Sequence, residues 1–154
     1  MQLYHGSDQA RTEFVSKPSQ RFTMGRSYEV TSPASFFTPD ADYARTFGSV
    51  LTVVELGNAK LLDLTEGAWG VGDAAAFAIL EARFGEEVGM LDPAELWAIL
   101  DDPEDAQAIA ALGFQVVAFR ERDSSGVAHD TYGVIDRSVI EVVDHQLEPE
   151  RPKP

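Results

Sequence analysis

The chain has 154 residues, a net charge of −14 and no cysteine. That length suits one domain with its own hydrophobic core, since about 100–200 residues per domain is usual. Lack of cysteine excludes disulfides, thiolate metal sites and a cysteine nucleophile, and the surplus acid argues against general nucleic-acid binding, because a polyanion would be repelled.

The opening MQLYHGSD has neither a basic region nor an apolar leader run. The longest purely apolar run, Ala74 to Leu80, is too short to span a bilayer. A soluble, cytoplasmic protein with no membrane partner is expected. Charge is unevenly spread. Residues 1–50 hold five basic and five acidic side chains, whereas the rest hold seven and twenty-one. Arg11, Lys17, Arg21 and Arg26 could therefore meet an anionic small molecule, while the remainder of the surface is acidic.

Taken in order, Met1–Tyr4 predicts a short strand. Residues 6–34 lack sustained periodicity and are rich in Ser, Thr, Gln and Arg, which predicts a long loop of the kind usually reserved for function. Ser35–Phe37 reads as a brief strand. A short helix follows, with Thr38 as N-cap, Pro39 at the first helical position and Gly48 as terminator. Val50–Leu56 and Lys60–Leu64 are strands. Asp73 caps AAAFAILEARF, which Gly85 stops. The run Asp92-Pro93-Ala94-Glu95 has capping-box logic before LWAIL, and Asp102-Pro103 opens a helix ending near Gly113. Strands return at Phe114–Phe119, Tyr132–Ile135 and Val139–Val143, the first two separated by the turn Asp123-Ser124-Ser125-Gly126. The class is α+β, in one domain over residues 1–146, with 147–154 as a tail expected to fray.

Three stretches carry candidate chemistry. LYHGS (Leu3–Ser7) places a histidine and a glycine at the end of the first strand. On its own, His5 reads as a strand-end histidine satisfied by a backbone carbonyl. SFFTPDADYARTFG (Ser35–Gly48) is a strand-turn-helix with aromatic residues at Phe36, Phe37, Tyr43 and Phe47; Phe36 and Phe37 read equally well as core residues. HDTYGVIDRSVIEVV (His129–Val143) lies near the C-terminus.

The order YHGS, FFTPDADYARTFG, TYGVIDRSVI resembles the ADP-ribosyltransferase fold in its histidine–tyrosine–glutamate branch, which includes diphtheria toxin and the poly-ADP-ribose polymerases. Within that branch it is similar to small phage- and bacteria-encoded members, the short type I-F anti-CRISPR ADP-ribosyltransferase among them. The resemblance implies split β-sheets around an NAD+ cleft with a central helical insert. It implies that His5 binds a ribose hydroxyl, being both donor and acceptor. The Gly6 backbone would hold the nicotinamide amide, since glycine allows close approach. Tyr4 and Ser7 flank them. Phe36 stands where the family has its tyrosine, followed by Phe37 and Thr38. Tyr43 lies on the following helix, and Phe47 matches the second aromatic that sandwiches the nicotinamide. Such stacking is worth roughly 0.5–1.5 kcal/mol beyond burial.

At the family's catalytic glutamate position this chain has Thr131, with Asp130 before it. An alternative alignment draws the acid from the preceding strand, as Glu121 in VVAFRERD. Glu121 and Asp130 therefore both stand as candidates, on facing arms of one hairpin, with Glu121 slightly ahead. Thr131 favours mono-ADP-ribosylation over polymer formation. The resemblance implies a reaction that breaks the nicotinamide–ribose bond of NAD+ as co-substrate, where a carboxylate stabilises the oxocarbenium-like sugar. Arg11, Lys17, Arg21 or Arg26 could neutralise its diphosphate. No metal is expected, since His5, His129 and His145 show no ligand spacing. A protein acceptor is expected, and two other readings share the scaffold: an NAD+ glycohydrolase toxin and an inactive acidic binding module.

The segment Glu86–Asp105 holds eight acids and no base. It reads as a solvated helix face, or as a docking surface for a basic protein or a nucleic-acid mimic in an anti-defence role. There is no G-x-S-x-G elbow and no glycine-rich phosphate loop with a lysine, which disfavours a serine hydrolase, a kinase and a P-loop NTPase.

Overall fold

The computed structural model describes residues 2–10, 14, 18–23, 26–31 and 34–147. The protein is α+β, and its strands form two larger sheets and one hairpin. The first sheet runs β1 (Gln2–Ser7), β5 (Val50–Leu56), β9 (Ile140–Leu147), all antiparallel. The second has the order β4 (Ser35–Phe37), β8 (Ala128–Val134), β7 (Val116–Arg122), β6 (Leu61–Asp63). β2 (Pro18–Thr23) and β3 (Arg26–Thr31) pair as a separate antiparallel hairpin.

A backbone bridge joins the two larger sheets. Tyr4 N–H donates to the Thr38 carbonyl (2.8 Å) and Thr38 N–H returns the bond to Tyr4 (3.0 Å). Elsewhere they are held by apolar packing. Leu3, Phe37, Val54, Val116 and Val134 form a buried cluster joining strands of both. The other side of the second sheet carries the larger core, in which Val117 and Phe119 pack with Leu80, Leu96, Ile99, Leu100 and Ile109 of the helical segment. Because successive side chains on a strand point to opposite faces, Val116 and Val117 supply one core each.

Topology explains where the helices lie. β6 and β7 are parallel, and a parallel pair requires a long crossover. That crossover holds α2 (Ala74–Phe84), a 3₁₀ segment Pro93–Leu100, and α3 (Pro103–Ala111). Each begins on a carboxylate cap: Asp73 accepts from Ala76 N–H, Asp92 from Ala94 N–H and Asp102 from Glu104 N–H. No helix among the described residues is long and apolar enough to cross a membrane.

Several expectations need correction. The stretch 6–34 is not one loop: β1 continues to Ser7, and β2 and β3 occupy much of the rest. A two-stranded ribbon can form without apolar alternation, so hydrophobic periodicity does not reveal it. Thr38 does not cap the first helix. It is bridged to Tyr4, and α1 (Ala41–Arg45) is capped by Asp40, which accepts from Tyr43 N–H. LWAIL is wound as 3₁₀ rather than α-helix. β7 extends three residues past Phe119 and β8 begins at Ala128, so the hairpin carrying both candidate acids is longer than expected. The expected tail lies almost wholly outside the described residues.

Candidate active site

The three motif stretches meet. β1 is bridged to the end of β4 through Tyr4 and Thr38, and β4 pairs with β8 in the register Ser35 to Val134, Phe36 to Gly133, Phe37 to Tyr132. Two side chains reinforce this junction. His5 Nδ1 lies 3.0 Å from the Phe36 carbonyl oxygen. A carbonyl can only accept, so Nδ1 carries the proton. Thr38 Oγ1 donates to the Asp130 carbonyl at 2.9 Å. The plain reading of His5, a histidine satisfied by a backbone carbonyl, is thus met. The ring also packs on Phe14 and Phe37.

α1 stands over this junction because Gly6 lets it. A Cβ built on Gly6 would lie 1.7 Å from the Ala44 carbonyl oxygen. The close backbone approach that this glycine permits is therefore made by a helix of the protein itself. Gly48 does the same at the helix exit, where a Cβ would lie 2.2 Å from the Ser7 carbonyl carbon. Ser7 is buried and its hydroxyl donates to the Gln9 carbonyl.

So placed, α1 aims Tyr43 at the β7–β8 hairpin. The Tyr43 hydroxyl donates to Glu121 Oε2 at 2.8 Å. Its ring lies flat on His129, with centroids 4.1 Å apart and planes 3° from parallel. Phe47 meets the Tyr43 ring edge-on at 5.2 Å and is itself 61% exposed. Burial, then the bond to Glu121, pushes the Tyr43 phenol above its ordinary range. It remains a donor at any working pH.

His129 sits between two carboxylates. Nε2 is 2.7 Å from Asp123 Oδ2, and Nδ1 is 3.1 Å from Asp40 Oδ2. An ionised carboxylate only accepts, so both ring nitrogens must donate, and His129 is an imidazolium. The bond to Asp123 leads in raising its pKa, with Asp40 adding to it. Asp123 is held well below the usual carboxylate range, first by the Ser125 hydroxyl and then by His129.

Strand register separates the two candidate acids. Glu121 pairs with His129, and the next pair along is Arg120 with Asp130. Adjacent pairs face opposite sides of a sheet. Glu121 therefore shares a face with His129, Thr131 and Phe119, while Asp130 points the other way and meets Arg120 at 3.4 Å. The two acids do stand on facing arms of one hairpin, but on opposite faces of it. Glu121 is the one brought to Tyr43, whose ring Phe47 flanks.

Thr131 lies on the Glu121 face, only 3% exposed, and its hydroxyl has no hydrogen-bond partner among the described residues. Leaving such a group unsatisfied costs about 1–3 kcal/mol. Phe36 packs on Phe119 at 5.9 Å as part of the helical core, and Phe37 is fully buried between the sheets. Both thus have core duties. Of the cations suggested for a diphosphate, Arg11 and Lys17 lie outside the described residues, as do the side chains of Arg21 and Arg26.

Asp40, Asp123 and His129 are the site residues that sequence reasoning misses. No short-range signal pairs Glu121 with His129: counting outward from the turn Asp123-Ser124-Ser125-Gly126 sets Glu121 against Ala128, and the extra loop residue Val127 moves the register to His129.

No protein-family model matches this chain, and no curated protein matches it. Among solved structures it is similar to a crystal structure of an anti-CRISPR protein, with 16% sequence identity and a TM-score of 0.49. That likeness covers 93% of this chain and 95% of the other.

Proposed function

We propose that this protein is an NAD+-dependent mono-ADP-ribosyltransferase that modifies a protein acceptor. One observation carries the reading. The three stretches that resemble the family are far apart in sequence, yet the Tyr4–Thr38 bridge links β1 to the end of β4 and β4 pairs with β8, with α1 across the junction. Three groups support a dinucleotide substrate. Phe47 offers an exposed aromatic face, Thr131 a buried hydroxyl lacking a partner among the described residues, and Glu121 a carboxylate at the same face.

Breaking the bond between nicotinamide and ribose leaves positive charge on the sugar. Glu121 would oppose that charge as it develops, which lowers the barrier without tightening the ground state. Nicotinamide departs neutral, because the ring was cationic in the substrate, and needs no general acid. The acceptor nucleophile then bonds to the ribose carbon and loses its proton. Tyr43 holds one oxygen of Glu121 in place, and His5, whose Nδ1 donates to the Phe36 carbonyl, would meet a ribose hydroxyl as the resemblance implies.

The test is nicotinamide release from labelled NAD+, with and without host lysate. Glu121→Gln should lower the rate at least about 10²-fold, the usual scale for removing a charge-stabilising group. Asp130→Asn should stay within a few-fold of the parent. Rapid release without any acceptor would favour a glycohydrolase. Absence of both release and an NAD+-induced thermal shift would leave an inactive binding module, since saturating ligand must stabilise by RT ln(1 + [L]/Kd).

A further inference from the structure

We propose that His129 is a positioning residue whose charge clasps α1 to the β7–β8 hairpin, so that Tyr43 holds Glu121 only while His129 is protonated. The proposal rests on Glu121 being the acid of the transfer reaction. It adds a regulation of that site by proton concentration.

The geometry makes the imidazolium a two-sided link. Asp123 is immobilised independently of His129, because its Oδ1 accepts from Ser125 N–H (2.9 Å), Ser125 Oγ (2.6 Å) and Val127 N–H (3.0 Å). Asp40 is divided differently. Its Oδ1 caps α1 by accepting from Tyr43 N–H at 3.1 Å, and its Oδ2 faces His129. One carboxylate thus joins the first turn of α1 to the hairpin. The groups facing His129 are Asp123 from the hairpin turn, Asp40 from the α1 cap, Tyr43 from α1 and Glu121 opposite it on β7.

Loss of the proton has a defined consequence. A neutral imidazole donates from one nitrogen only, so one of its two carboxylates then faces a lone pair. The shorter bond and the fixed partner both belong to Asp123, so the proton stays on Nε2 and the link to Asp40 breaks. α1 has five residues, too few to persist on their own, and it is then left with its packing over Gly6 and Gly48 to hold it. The stack weakens as well, because a cation over the Tyr43 ring becomes a neutral ring. Tyr43 then loses its fixed aim at Glu121.

The sign follows from the direction of the His129 shift. Its folded pKa is raised by Asp123 and Asp40. The clasp is complete below the ordinary imidazole value and is lost as pH rises through the raised one.

Three measurements on the full chain test this. Histidine side-chain NMR between pH 5 and 10 should show His129 titrating above a free imidazole. Amide exchange across residues 41–45 should rise at least tenfold beyond its normal base dependence at the same midpoint. That step should vanish in His129→Gln, where α1 exchanges fast throughout. In Asp40→Asn, which keeps a good N-cap, His129 should titrate at lower pH than in the parent. Nicotinamide release should fall on the alkaline side with the His129 midpoint and shift with it in Asp40→Asn. A free-imidazole titration, or exchange in α1 without a step, overturns the clasp. Absence of nicotinamide release at every pH, with the exchange step intact, overturns the transferase reading and leaves the clasp standing.

Discussion

The segment 61–111 and the junction of α1 with the β7–β8 hairpin use the same residue types for opposite ends. The segment holds twelve acids and a single base, Arg83. Asp73, Asp92 and Asp102 bind backbone amides two or three residues ahead, so each acts within its own turn. At the junction Asp40 reaches across 89 residues to His129, and Tyr43 across 78 to Glu121. Local acids start helices. Long-range acids assemble a site.

If the junction depends on how α1 is seated, the largest effect should come from Gly6. A Gly6→Ala methyl collides with the Ala44 backbone, which cannot rotate away as a side chain could. Overpacking of this kind costs typically 1–3 kcal/mol, and we expect about 3 here. Chemical denaturation would measure it, and α1 should show the fastest amide exchange of any helix in the variant. A stability within about 0.5 kcal/mol of the parent would mean that α1 is not seated there.

Thr131 separates stability from function. Thr131→Val removes a buried hydroxyl that lacks a partner among the described residues and should stabilise the fold by about 1 kcal/mol. If that hydroxyl serves the substrate, NAD+ binding should weaken by roughly 2–12-fold, the worth of one neutral hydrogen bond. Calorimetry on the same sample reads both. A stabilised variant with unchanged NAD+ affinity would remove Thr131 from the site.

The local acids should behave more simply. Asp73→Ala deletes a cap bonded to Ala76 N–H at 3.0 Å, and loses about 1 kcal/mol. Nicotinamide release should not change at 25 °C, because that cap acts within its own turn. A drop in turnover at full folding would show that the helical segment reaches the site after all.

This division also decides what the amino-acid sequence discloses by itself. Asp73 with Gly85, and Asp102 with Pro103, mark helix ends by chemistry confined to four or five residues. Such signals are legible, as are β5 and the Asp123–Gly126 turn. The three motifs are legible as motifs, and Glu121 as a candidate. The bonds that organise them are not. The Tyr4–Thr38 bridge and the contact of Tyr43 with Glu121 depend on how two sheets dock, and no short-range pattern encodes that. Thr38 illustrates the hazard of judging locally. Thr-Pro predicts a cap, yet its backbone is taken by Tyr4 and its hydroxyl by Asp130, so Asp40 caps α1 instead.

Salt should move the two regions in opposite directions, and this is the smallest effect expected. Arg83 is already bonded to Asp102 and Asp105, and Asp92 and Glu66 draw on Arg122 and Arg120 from β7. Acids still outnumber these bases across the segment, so its surface keeps a net repulsion. Screening lengths shorten from about 30 Å at 0.01 M salt to about 8 Å at 0.15 M. That relieves repulsion spread over a whole helical surface, so the midpoint of thermal unfolding should rise by about 1–2 °C, on the order of half a kcal/mol for a domain of this size. At the junction the same salt weakens an attraction between His129 and its carboxylates, so exchange in α1 should quicken while exchange in α2 and α3 slows. If both regions moved together, the charges of the hairpin and of the helical segment would be acting as one field, and the distinction between acids that start helices and acids that assemble a site would fail.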